Sequence, residues 1–131
     1  EDDYPFDEWF VTWVRAAFKA KGNAAAIQDL SLWSEQIAGL GRETQKKFLE
    51  FCIEMFRQAL LLNYESQSLV YLEPKVEKFK LANFAPFVNG NNIHEIFKEL
   101  SDAMYHIERN GNAKIILTDL SIKLTRLIHK K

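Results

Sequence analysis

The chain has little with which to cross-link itself. One cysteine, Cys52, excludes any internal disulfide framework. A lone thiol on an apolar helix face is the usual state in a reducing compartment, so a cytoplasmic location is expected. Three prolines and five glycines punctuate the sequence sparsely. No apolar run is long enough to span a bilayer and no signal peptide is visible, so neither a membrane partner nor secretion is expected. Neither sign of charge dominates: 17 basic against 18 acidic residues give a formal net charge of -1. That balance argues against a protein whose main partner is a nucleic-acid backbone. Nucleotide and metal motifs are missing too. Gly39-Leu40-Gly41 lacks the GxGxxG or GKS/GKT pattern and follows a helical stretch rather than a strand, and no HExxH or CxxC spacing occurs.

What is present is apolar. Hydrophobic residues make up 47% of the 131 residues and aromatics 13%, enough for one domain with one sizeable core. The most apolar helix-patterned run is Arg42 to Tyr64. Phe48, Phe51, Cys52, Met55, Phe56, Ala59, Leu60 and Asn63 recur at three- and four-residue steps, and Leu49, Ile53, Leu61 and Leu62 widen the stripe. Glu43, Lys46, Lys47, Glu50, Glu54, Arg57 and Gln58 form a narrow polar strip. A helix apolar around most of its girth must be covered on several sides. The expectation is therefore an all-α, compact bundle of about five helices, with Arg42–Tyr64 at its centre.

The other helices follow from their apolar spacing and end signals. Pro5 and the acidic pair Asp7 and Glu8 open a first helix whose apolar face is Phe6, Phe10, Trp13, Val14, Ala17 and Phe18, with Trp9 beside them and Gly22 as C-cap. Asn23 caps a second, with Ala26, Ile27, Leu30, Trp33 and Ile37 inward. After the central helix come a polar loop, a break at Pro74, room for a short helix over Val76–Lys80, and an irregular piece, LANFAPFVNGNN, anchored by Leu81, Phe84, Phe87 and Val88. Asn92 with Glu95 reads as a capping box for a helix carrying Ile93, Ile96, Phe97, Leu100, Ala103, Met104 and Ile107 on one stripe. Asn110-Gly111 closes it, and Asn112 caps a last helix running from Ala113 to the basic end, Lys131. No internal repeat or domain linker is seen, so residues 1–131 read as a single domain.

No catalytic constellation emerges. His94 and His106 lie twelve residues apart on one helix, too far to share a metal ion, and His129 stands alone. Asp119, between Ile115–Leu117 and Leu120, is the most notable carboxylate, but Lys123 at i+4 is a ready partner. No catalytic, cofactor-binding or metal-binding residue is assigned, and no small-molecule substrate is expected.

The closing run HIERNGNAKIILTDLSIKL, His106 to Leu124, resembles the end of bacterial clamp-loader subunits. In the delta-prime subunit of DNA polymerase III, an Asn, paired aliphatics, Asp-Leu and an aliphatic-basic-aliphatic triplet stand on the final collar helix. Here these match Asn112, Ile115, Ile116, Asp119, Leu120, Ile122, Lys123 and Leu124. The stretch Trp33–Tyr64 also resembles a delta-prime collar, and together the matching stretches cover about half the chain. The resemblance implies a helical collar domain excised from a longer chain with an N-terminal AAA+ module. Its partners would be the gamma/tau and delta subunits, with DNA contacted only indirectly and ATP bound elsewhere in the loader. The gamma/tau and delta collars stay open as sources, as does an unrelated helical interaction or DNA-binding domain.

The last helix carries one seam more than a single core contact needs. Leu117, Leu120, Leu124 and Leu127 form one, and Ile115 and Ile122, seven apart, form another beside Asp119, Lys123 and Arg126. Ile115, Asp119, Ile122, Lys123 and Arg126 are the candidate subunit interface, an apolar centre with a charged rim. The alternative is that both seams are internal.

Overall fold

A computed structural model describes residues 4–63, 76 and 79–130. Among them are six α-helices, one 3-10 turn and no strand. The helices are α1 (Phe6–Lys19), α2 (Ala24–Ala38), α3 (Arg42–Asn63), α4 (Leu81–Phe84), α5 (Ile93–Glu108) and α6 (Ala113–Ile128), and the 3-10 turn is Ala85–Phe87.

Five of the helices stand where the apolar spacing places them. The sixth, α4, falls in the piece expected to be irregular. Leu81, Phe84, Ala85 and Val88 are buried there, and Pro86 suits the opening of the 3-10 turn because its missing N–H would have no partner in a first turn. Asn63 holds this piece to α3 by donating from Nδ2 to the carbonyls of Ala85 (2.6 Å) and Val88. The polar loop after Tyr64 and most of Val76–Lys80 lie outside the described residues. Of that second stretch, Val76, Phe79 and Lys80 are described, and none is helical. The last helix ends at Ile128, with His129 as its C-cap, short of the expected Lys131.

Centrality is shared between two helices. α3 packs on α5, on α4 with the 3-10 turn, and on α1; α6 packs on α2, α5 and α1. So α3 does not carry the whole chain, because α2 and α6 are built on each other and on α1. Phe48, Leu49, Cys52, Met55, Phe56 and Ala59 of α3 are fully buried, while Ile53, Leu60, Leu61 and Leu62 are half-buried. Burial raises the Cys52 thiol pKa well above its ordinary value, which keeps it a neutral thiol.

Several polar side chains are interior fasteners. Gln58, expected on the polar strip, is buried and donates to Glu54 Oε2 at 2.6 Å. Gln45 is buried beneath the α2–α3 turn. Its Nε2 donates to the carbonyls of Ile37, Ala38 and Leu40, oxygens that the end of α2 leaves without helical partners. Asn92 departs from the capping-box expectation. Its side chain makes no cap bond to α5; Nδ2 donates to Phe87 O and Leu127 O, both at 2.8 Å, and Oδ1 accepts from Asn89 N–H. It clips the end of α6 to the loop before α5. The bond to Leu127 is buried, so losing it would leave a polar group without water as a substitute partner.

The joint between α1, α2 and α6 is also polar. Trp13 Nε1–H donates to Ser121 Oγ at 2.8 Å; Ser121 Oγ–H donates to Leu117 O, and Ser34 Oγ lies 3.4 Å from Ser121 Oγ. Trp13 stacks on Trp33 with centroids 4.7 Å apart and planes within 2°. Three helices thus meet at one satisfied hydroxyl inside an aromatic layer.

Candidate protein-interaction face

α6 is set by its two ends. Asn110 adopts the left-handed conformation (φ 68°), which Asn tolerates better than most residues. Gly111 follows because a Cβ there would lie 2.8 Å from His106 O and 2.7 Å from Ile116 Cδ1. Asn112 Oδ1 then accepts from Ile115 N–H at 3.1 Å and starts the helix, as expected of the cap. At the far end, Leu127 O is held by Asn92.

Between these ends the helix divides cleanly. Leu117, Leu120, Leu124 and Leu127 are buried. Ile115 and Ile122 are 65% and 52% exposed, so the second seam lies outside the core. Asp119 and Arg126 are exposed and Lys123 is half-buried. All five candidate residues therefore lie on the outward side of α6. Lys123 is the electrostatic centre: Nζ stands 2.9 Å from Asp119 Oδ2 and 3.2 Å from Glu99 Oε1 of α5. Hydrogen bonds to Asp119 and then Glu99 raise the Lys123 pKa, so its charge is held firmly. Arg126 forms no ion pair among the described residues and is the open cation on this face.

The face is wider than the sequence reading made it. α2 runs antiparallel to α6, with Lys114 Nζ 3.8 Å from Glu35 Oε2 at one end of the pair. Toward the other end the two helices part into a largely apolar groove of about 530 Å³, with Ile27 and Leu30 on one wall and Thr118, Ile122 and Thr125 on the other. Ile27 was expected inward and is 55% exposed. The inward stripe is Ala26, Leu30, Trp33 and Ile37, at steps of four, three and four; Ile27 lies one residue, about 100° of helical turn, to its side. That offset is a signal the sequence does carry. Ile115 borders a second, more polar groove of about 270 Å³ between α5 and α6, shared with Glu99, Asp102 and His106.

Among the described residues no group of three His, Cys, Asp or Glu side chains could hold a metal ion. His129 is engaged elsewhere, stacked on Phe18 with Nε2 3.0 Å from Phe18 O. No helix among the described residues is long and apolar enough to cross a membrane. Compared with known proteins, the chain matches no family model, no curated protein and no solved structure.

Proposed function

We propose that this chain is an oligomerisation domain of the collar type, from a DNA polymerase III clamp-loader subunit resembling delta-prime. The observation that carries the reading is the outward face of α6. Two isoleucines more than half exposed, seven residues apart, flank a network of Asp119, Lys123 and Glu99, with Arg126 open beside them. Exposing more than half of each side chain forgoes about 1–2 kcal/mol apiece, which a partner surface would restore on assembly. The clamp-loader-like motif distributes sensibly over this helix. Asn112 starts it, Leu120 and Leu124 enter the core, and Ile115, Asp119, Ile122 and Lys123 face outward. In this reading ATP is bound by other subunits, and the domain's part in loading the sliding clamp is to hold the ring of subunits together.

The test is the double variant Ile122→Asp with Arg126→Glu. It should keep its helical circular dichroism and lose co-elution with the gamma/tau and delta subunits. Unchanged assembly would place the ring contacts on another face. In the same reading the purified domain shows no saturable ATP binding by calorimetry at about micromolar affinity; such binding would sink it.

A further inference from the structure

Two Asn-Gly steps bracket α5, Asn89-Gly90 before it and Asn110-Gly111 after it. An Asn-Gly step is open to attack by the glycine nitrogen on the preceding side-chain amide, because glycine puts no Cβ beside the reacting atoms. The surroundings of these two steps differ at the atoms that matter, the attacking nitrogen and the amide oxygen.

At Asn110 the nitrogen is already engaged. Gly111 N–H donates to His106 O at 2.8 Å, next to the left-handed backbone of Asn110. The Asn110 side-chain amide meets no donor among the described residues.

At Asn89 both conditions are reversed. Gly90 is exposed, and among the described residues its N–H meets no acceptor. Asn89 Oδ1 accepts from Asn91 N–H at 2.8 Å. That donor draws electron density away from Cγ. It also stands where negative charge gathers on Oδ1 once a nucleophile adds, as the donors of an oxyanion hole do. What resists is the main-chain carbonyl. Asn89 O accepts from Asn92 N–H (3.1 Å) and Ile93 N–H (2.9 Å), so attack waits on fraying at the start of α5.

We propose that Asn89-Gly90 is a site of self-modification, at which Asn89 deamidates in the folded chain ahead of Asn110. Gly90 N gives up its proton to water and bonds to Asn89 Cγ. The Cγ–Nδ2 bond breaks, and Nδ2 leaves as ammonia with a proton from water. The product is a five-membered succinimide. Water then opens one of its two C–N bonds. Opening at Cγ gives aspartate; opening at the main-chain carbonyl gives isoaspartate, with the chain rerouted through Cβ. One water is consumed, one ammonia is released, and nothing is oxidised or reduced.

The position carries a consequence. Asn89 N–H donates to Asn92 Oδ1, and Asn92 Nδ2 holds Phe87 O and Leu127 O. Isoaspartate at 89 displaces the carbonyl that precedes α5 and loosens the side chain that clips the end of α6. This holds whatever α6 binds.

The experiment incubates the 131-residue chain at mildly alkaline pH, folded and in denaturant. Peptide mapping follows each Asn-Gly step, and electron-transfer fragmentation tells isoaspartate from aspartate. In the folded chain Asn89 should convert at least about threefold faster than Asn110, a factor set by the hydrogen bond that Gly111 must first give up. In denaturant the two should convert alike. The converted chain should unfold at a lower temperature, whereas Asn89→Gln incubated alongside should keep its midpoint. Equal rates at the two sites of the folded chain overturn the proposal, and so does faster conversion at Asn110. An Asn89 that stays intact in the folded chain, over the time that converts the denatured one, overturns it as well. An unchanged midpoint after conversion overturns the link to the α6 clip.

Discussion

On the inner side of α6, Leu117, Leu120, Leu124 and Leu127 are at most 7% exposed; on its outer side, Ile115 and Ile122 are 65% and 52% exposed. Leucine and isoleucine have similar hydropathy, so residue type alone does not tell these six apart. What separates them is phase around the helix: 120, 124 and 127 stay within one narrow sector, while 115 and 122 repeat every seven residues about a different line. An apolar residue in the first sector is there for the fold. One in the second is available to something else.

The comparison breaks most visibly at Leu117. Leu117→Ala should cost about 2–5 kcal/mol, measured by denaturant unfolding, because a fully buried side chain leaves a cavity. Ile115→Ala, two residues away, should move stability by less than about 0.5 kcal/mol. Equal costs for the two would erase the distinction. Next is Ser121→Ala, which leaves the Trp13 indole N–H facing a methyl group. About 1–3 kcal/mol should be lost, and tryptophan fluorescence should shift as the pair with Trp33 relaxes. Gly111→Ala should cost about 1–3 kcal/mol, since the added carbon meets the His106 carbonyl, which backbone hydrogen bonding holds in place. Thermal unfolding would show a change near zero if that turn were loose.

The smallest effect belongs to the outer charges. Asp102 accepts a hydrogen bond from Lys98 at 2.8 Å, which holds its carboxyl below the usual value. The pair's contribution is therefore present above about pH 4 and is lost as pH falls through the lowered value. Both side chains are largely solvated, so Lys98→Met should flatten the acid limb of the stability curve only slightly.

Much of the bundle was legible because helical periodicity is a local signal. Asn23 and Asn112 cap α2 and α6 through their own first turns, and a cap needs only neighbouring residues. The residues that escaped are those whose partners are distant in sequence. Asn92 reads as a cap because Glu95 follows it, yet its deciding bond is to Leu127, 35 residues on. Gln45 and Gln58 look like surface positions until the end of α2 and the neighbouring helices bury them. Ile27 is the reverse case, apolar and near the inward stripe, but exposed where α2 and α6 part. For the candidate face, the five residues on α6 were readable from spacing, and so was the sideways offset of Ile27, but not the groove that α2 forms with α6.

Ser121 stands next to Ile122, and that adjacency links inside to outside. The hydroxyl must meet the indole of Trp13, so α6 has only one rotational setting about its axis. A turn of even one residue's angle, about 100°, would carry Ser121 away and swing Ile122 toward α1 or α5. The outer surface is thus aimed from within. Evolution is free to rewrite Ile115, Asp119 or Ile122 to suit a new neighbour without re-indexing the helix, but a change at Trp13 or Ser121 would alter every residue offered on that side at once.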